Sequence, residues 1–280
     1  MDGRIPVKKK KKIWKIVLIV LLVLIAALAV MTFAGLKFYT AKDEEKKAAA
    51  PGNAAEYSLE NVQPLENSPL QGKKILFLGS SVTYGAASRA CSFADYIGKL
   101  DGVEVTKEAV SATTLVDAFS PFAFLLAGDG RSYVARLKEV DPSIPFDAVV
   151  VQLSTNDATM KKPLGEVSAS FDRKDFDAKT VTGAMEYIIA YCRETWNCPV
   201  IFYTGSYYES AEYAAMVARL QELADKWEIP VADLYTDEAF NDIEEDKYSF
   251  YMFDRIHPTK AGYLEWWTPA IEAVLYDALQ

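Results

Sequence analysis

KILFLGSSVTYG, residues 74–85, runs a block of apolar residues into a glycine and two adjacent serines. Apolar side chains on successive positions, rather than alternating ones, mark a strand buried on both faces. Further strand candidates are VEVTKEAV (103–110), DAVVVQLS (147–154), PVIFYTG (199–205) and IPVADLY (229–235), several of them apolar on successive residues. Between them lie stretches of helical period. Residues 178–196 bring Val181, Met185, Ile188 and Ile189 to one face, and residues 210–227 do the same with Met216, Leu220, Leu223 and Trp227. A last helix is expected from just after His257 to about Leu279. Strand–helix alternation predicts a three-layer α/β/α sandwich around a parallel sheet of about five strands. In such folds ligands bind at the carboxyl ends of strands, which is where the serines of the opening stretch stand.

Upstream of this pattern the chain changes character. Residues 16–36, IVLIVLLVLIAALAVMTFAGL, carry no charge. At about 1.5 Å per residue they span roughly 31 Å, a bilayer core. Arg4, Lys8 to Lys12 and Lys15 precede them, and Trp14 stands at the boundary. The positive-inside rule then predicts a single-pass anchor, with residues 1–15 cytoplasmic and the rest of the chain outside the cell. A cleaved signal peptide is the competing reading, with Ala27-Leu28-Ala29 as its cleavage site, although the apolar run continues past it. Residues 37–72, rich in Ala, Glu, Lys, Asn and Pro, are expected to be a flexible linker. Residues 73–280 are expected to be the folded domain.

The charge balance narrows the function. The chain has a net charge of −9, yet its first 36 residues carry seven bases against one acid, leaving 23 bases and 38 acids in the remainder. So acidic a body argues against a nucleic-acid partner. Cys91, Cys192 and Cys198 have no zinc-like spacing, and no metal or organic cofactor is expected. Cys192 and Cys198 either pair as a disulfide or are two small buried residues.

Three stretches bear on chemistry. In GSSVT (79–83) a serine is either a helix N-cap or a nucleophile set among backbone N–H donors. DRIH (254–257) holds the only histidine, three residues after Asp254. On a helical turn that spacing lets the carboxylate hold the imidazole in one tautomer, and a serine hydroxyl needs such a base. In STND (154–157) Asn156 offers a neutral N–H suited to a transient oxyanion, or it simply forms a turn. Asp157 is expected to be a turn or capping residue.

Taken together these stretches resemble the SGNH hydrolases, also called GDSL esterases and lipases, over roughly residues 73–280. The resemblance implies a flavodoxin-like fold and a catalytic triad of Ser81, Asp254 and His257. It implies an oxyanion hole from the backbone N–H of Ser81, that of Ala112 and the side chain of Asn156. The departures from the family pattern are Ser80 for Asp, Ala112 for Gly and Ser154 for Gly. A left-handed backbone at position 112 would strain an alanine.

The expected activity is that of a serine esterase removing small acyl groups, such as acetyl, from cell-envelope or extracellular glycans. A lysophospholipase-like acylhydrolase, an acyltransferase using the same triad and a non-catalytic surface module are the alternatives. Tyr207, Tyr208 and the aromatics of KYSFYMFD (247–254) either line a substrate groove or pack as a lid.

Overall fold

A computed structural model describes residues 7–280, so residues 1–6 of the basic segment lie outside the described residues. The chain forms two compact units, which meet at Ala48 and Ala49. Among the described residues the first is one helix, α1 (Val7–Ala49), whose last residue falls in the second unit. From Trp14 onward α1 is long and apolar enough to cross a membrane, as either an anchor or a signal sequence.

In the second unit, β1 (Lys74–Gly79) leads into the single turn α2 (Ser81–Tyr84), then α3 (Phe93–Asp101) and β2 (Glu104–Ala109). Short helices α4 (Pro121–Ala127) and α5 (Tyr133–Leu137) precede β3 (Ala148–Gln152) and α6 (Thr155–Thr159). α7 (Val181–Trp196), β4 (Val200–Tyr203), α8 (Ala211–Trp227) and β5 (Val231–Ala232) follow, then α9 (Glu238–Asn241), α10 (Glu245–Tyr251) and α11 (Thr268–Ala278). Among the described residues the five strands form one parallel sheet in the order β2-β1-β3-β4-β5. The chain reverses its direction of winding between β1 and β3, the place where such sheets open a crevice.

The sheet is covered on both sides, as the unbroken apolar runs of β1, β3 and β4 require. Leu76, Leu78, Val149, Val151 and Phe202 face a core shared with α5, α7 and α8. Their neighbours Ile75, Phe77, Val150, Ile201 and Tyr203 face the other core, with α3 and α11. The last helix is not uniform. Residues Gly262–Trp267 wind as a π-helix and α11 takes over at Thr268. Pro269 has no N–H to give to residue 265, so the regular ladder is interrupted there.

The flexible linker expected over residues 37–72 is replaced by two different structures. Residues 37–49 continue α1, and residues 50–72 pack on the body. Leu70 is fully buried and Val62 nearly so. A Cβ on Gly52 would meet the Phe250 carbonyl at 2.2 Å, so only glycine lets the strap lie this close. Asn53 donates to the Ala87 carbonyl (2.7 Å) and accepts from the Lys260 N–H (2.8 Å). Average composition suggested a tether because these few docking residues are diluted among polar ones. The three cysteines are all buried and unbridged.

Candidate active site

Gly79 closes β1 and lets α2 fold back over the strand end. A Cβ there would lie 1.7 Å from Thr83 Oγ1. The turn is gathered onto one acceptor from β3. Gln152 Oε1 accepts from the Ser80 N–H (2.8 Å), the Thr83 hydroxyl (2.9 Å) and, at longer range, the Thr83 N–H (3.3 Å). Ser80 is fully buried, whereas Ser81, at the first position of α2, is 8% exposed and keeps its hydroxyl toward the strand ends.

Asp254 and His257 meet Ser81 from the far end of the chain. They are not on a helical turn as expected. His257 precedes Pro258, which disfavours helical backbone, and the segment is instead a turn closed by a bridge between Met252 and Pro258. Within it Asp254 Oδ1 accepts from the N–H groups of Ile256 (2.8 Å) and His257 (2.9 Å). His257 Nδ1 lies 3.0 and 2.9 Å from the two carboxylate oxygens, and Nε2 lies 2.8 Å from Ser81 Oγ. An ionised carboxylate only accepts, so Nδ1 carries the proton and Nε2 is left to accept from the Ser81 hydroxyl. Partial burial works against the charge on Asp254. The His257 side chain and the two backbone N–H groups outweigh it and hold the carboxyl below its usual range. The strap braces this segment from behind: Gly52 lies against Thr259, and Asn53 holds the Lys260 N–H.

Ala112 has φ +63°, the left-handed conformation that strains an alanine. For a residue with a Cβ this costs about 1 kcal/mol. The loop around it is gripped from α6. Asn156 Nδ2 donates to the Thr113 carbonyl at 2.8 Å, which leaves its second amide hydrogen available. Asp157 is fully buried, and its two oxygens accept from the N–H groups of Leu115 (2.8 Å) and Val116 (3.1 Å). Burial pushes the Asp157 carboxyl up, against the pull of Ser154 and these two donors. Arg136, 1% exposed, donates through Nη2 to the Gly79 carbonyl (2.7 Å) and to Thr113 Oγ1 (3.2 Å), joining the serine turn to the Ala112 loop.

Of the residues singled out from sequence, Ser81, Asp254 and His257 are in direct hydrogen-bonding contact, and Asn156 is bonded to the residue after Ala112. Gln152, Asp157 and Arg136 escaped the sequence reading as site residues. Their partners lie between 23 and 72 residues away, and no local motif marks them. Tyr208 and Tyr251 are buried. Tyr207, Tyr208 and Tyr248 line an open groove of about 460 Å³ with Glu209 and Arg255. Among the described residues no three His, Cys, Asp or Glu side chains converge as metal ligands.

The family model of the GDSL-like lipases and acylhydrolases matches residues 77–264, which include both the serine turn and the Asp254–His257 segment. The chain belongs to this family. This GDSL-like acylhydrolase is therefore an ester-hydrolysing enzyme. Solved structures agree in fold. A Lactobacillus plantarum protein is 19% identical, with a TM-score of 0.54 over 74% of this chain and 96% of its own. A candidate GDSL-like lipase from Bacteroides ovatus is 17% identical, with a TM-score of 0.54 over 74% and 99%. A candidate arylesterase from Agrobacterium tumefaciens is 14% identical, with a TM-score of 0.52 over 74% and 100%. No protein of curated function matches the sequence.

Proposed function

We propose that this acylhydrolase is a serine esterase in which Ser81 is the nucleophile, His257 the general base and Asp254 its orienting carboxylate. One observation carries the reading: the 2.8 Å approach of His257 Nε2 to Ser81 Oγ while Nδ1 is held by Asp254. As Ser81 Oγ attacks the ester carbonyl, Nε2 takes its proton, and Asp254 stabilises the imidazolium. The N–H groups of Ser81 and Ala112 and the remaining Asn156 amide hydrogen receive the oxyanion. His257 returns the proton to the leaving alcohol. Water, deprotonated by the same imidazole, then releases the acid.

Small acyl groups suit this site. A small cavity lined by Val82, Thr155, Tyr208 and Ile256, which includes the residue after Ser81, has room for about one water. The open groove at Tyr207, Tyr248 and Arg255 offers aromatic faces and a cation for a polar alcohol such as a sugar. The lysine cluster before the apolar run supports an anchor that keeps the amino terminus cytoplasmic and the enzyme outside. Acylated glycans of the envelope are the substrates this combination favours.

The test is hydrolysis of p-nitrophenyl acetate by the purified full chain. Ser81→Ala is expected to lower kcat at least about 10⁴-fold and to abolish labelling by a fluorophosphonate. A Ser81→Ala protein that hydrolyses the ester at the parent rate refutes the assignment.

A further inference from the structure

The exposed apolar side chains of the body are unevenly placed. Of its ten large exposed hydrophobic residues, eight lie on segments that leave the carboxyl ends of β1 to β4, the edge that carries Ser81 and His257. Five belong to one uncharged stretch, residues 118–128. Phe119, Phe122, Phe124 and Leu125 are each 56–59% exposed, and Leu126 is 39% exposed. Tyr84, Met160 and Tyr207 are exposed on the segments that follow β1, β3 and β4 at the same edge of the sheet.

The stretch is an ordered excursion closed at its base. The Ser120 N–H donates to the Gly130 carbonyl at 2.7 Å. A Cβ on Gly130 would meet the Ser120 carbonyl at 2.3 Å, so the two ends can lie this close only with glycine there. Ser120 Oγ caps α4 by accepting from the Ala123 N–H (3.2 Å) and donates to the Ala112 carbonyl (2.9 Å). The helix that presents the apolar residues is thus bonded to the loop proposed to hold the oxyanion.

We propose that this apolar rim is a bilayer-docking surface and that the enzyme acts on short acyl esters of glycans carried on membrane-embedded lipids. The second clause rests on the esterase reading above. A patch of this kind needs a covering partner, and the same chain carries a helix long and apolar enough to cross a membrane. Phe and Leu are side chains that enter the interface and acyl region. The body from residue 37 onward has an excess of 15 acids over bases, so attraction to anionic headgroups is not the driving force. Docking is apolar, holds on zwitterionic lipid and persists at high salt.

The experiment uses the full chain in phosphatidylcholine vesicles. The native thiols are all buried, so a spin label enters only at an introduced cysteine, Leu125→Cys on the rim or Ser143→Cys on an exposed loop at the opposite end of the sheet. The ratio of collisions with oxygen to collisions with a water-soluble nickel chelate is expected to be at least about tenfold higher at 125 than at 143, at low and high salt alike. Equal ratios overturn the proposal. So does shielding at 125 from both reagents, which means that protein covers the rim. Leu125→Glu is expected to lower hydrolysis of a vesicle-borne short-chain ester, relative to soluble p-nitrophenyl acetate, at least about tenfold; an unchanged ratio also overturns it. Lipid depth at residue 125 without Ser81-dependent hydrolysis would sink the esterase reading and leave the docking intact.

Discussion

Asp157→Asn separates the chemistry of the site from its bracing. Asp157 does not touch Ser81; it grips the Ala112 loop through the N–H groups of Leu115 and Val116, one on each carboxylate oxygen. Asparagine keeps the shape and one acceptor. Its amide group, however, sets an N–H donor against one backbone N–H in a site closed to water. A hydrogen bond to a charged acceptor contributes about 1.5–3 kcal/mol, and an orphaned buried donor costs about 1–3. The expected loss is about 2–4 kcal/mol, within the roughly 5–15 kcal/mol that holds a domain folded. The variant therefore folds with a loosened loop. A displacement of about 1 Å at an oxyanion donor costs on the order of 10²-fold in rate, so kcat on p-nitrophenyl acetate is expected to fall about 10–100-fold with KM within about threefold. Urea unfolding and initial rates measure the two effects. A variant that loses the stability but keeps kcat shows that the clamp holds only the fold. One that loses neither shows that the two hydrogen bonds do not contribute.

Two further outcomes follow from groups remote from the serine. Glu272, on α11, is largely buried facing Asp101, and burial followed by that neighbour pushes its carboxyl up to about 8. The folded chain therefore holds a proton that the unfolded chain releases near pH 4.5. Stability is full below that pH and falls as pH rises toward about 8, by about 2–4 kcal/mol. Glu272→Gln, which stays neutral, is expected to flatten this decline in urea unfolding between pH 5 and 8.5, and superimposable curves would contradict it. Asn53→Ala removes the side chain that accepts from Lys260 and donates to Ala87. A cost of about 1–3 kcal/mol lowers Tm by roughly 2–10 °C; an unmoved Tm would mean that residues 50–72 are a tether after all.

The parts of this protein that were legible in its sequence are those whose cause is local. Thr180 and Ser210 cap α7 and α8 through their own side chains, and the left-handed Asn197 and Glu228 end them, so periodicity placed both helices within a few residues. Fully buried strands announce themselves as β1, β3 and β4 do. β5 was expected over seven residues and pairs over two, because Pro230 cannot donate to the ladder and the strand lies at the edge. The serine turn and the DRIH segment were visible because each packs its chemistry into four or five consecutive residues. At position 112 the sequence raised only a condition, that a left-handed backbone would strain an alanine, and the backbone there is left-handed.

The bracing could not be read in this way. Gln152 is a strand-end residue like any other until the fold brings the Ser80 N–H to its oxygen from 72 residues away. Arg136 looks like a surface cation of a short helix, yet it is buried between two loops. Asp157 has the local look of a turn residue and spends its carboxylate on a different loop. Each is specified by a pair of distant backbone groups that carry no side-chain signature. Side chains that meet at a candidate site can therefore be legible in sequence while the scaffold that aligns them is not. The scaffold is also where this chain departs from its family, at Ser80, Ala112 and Ser154. Gln152 now gathers the donors of the turn that holds Ser80, and Ser120, Asn156 and Asp157 fix the loop that an alanine strains. If those contacts compensate for the departures, loosening them must cost rate as well as stability, which is the distinction that the Asp157→Asn kinetics draw.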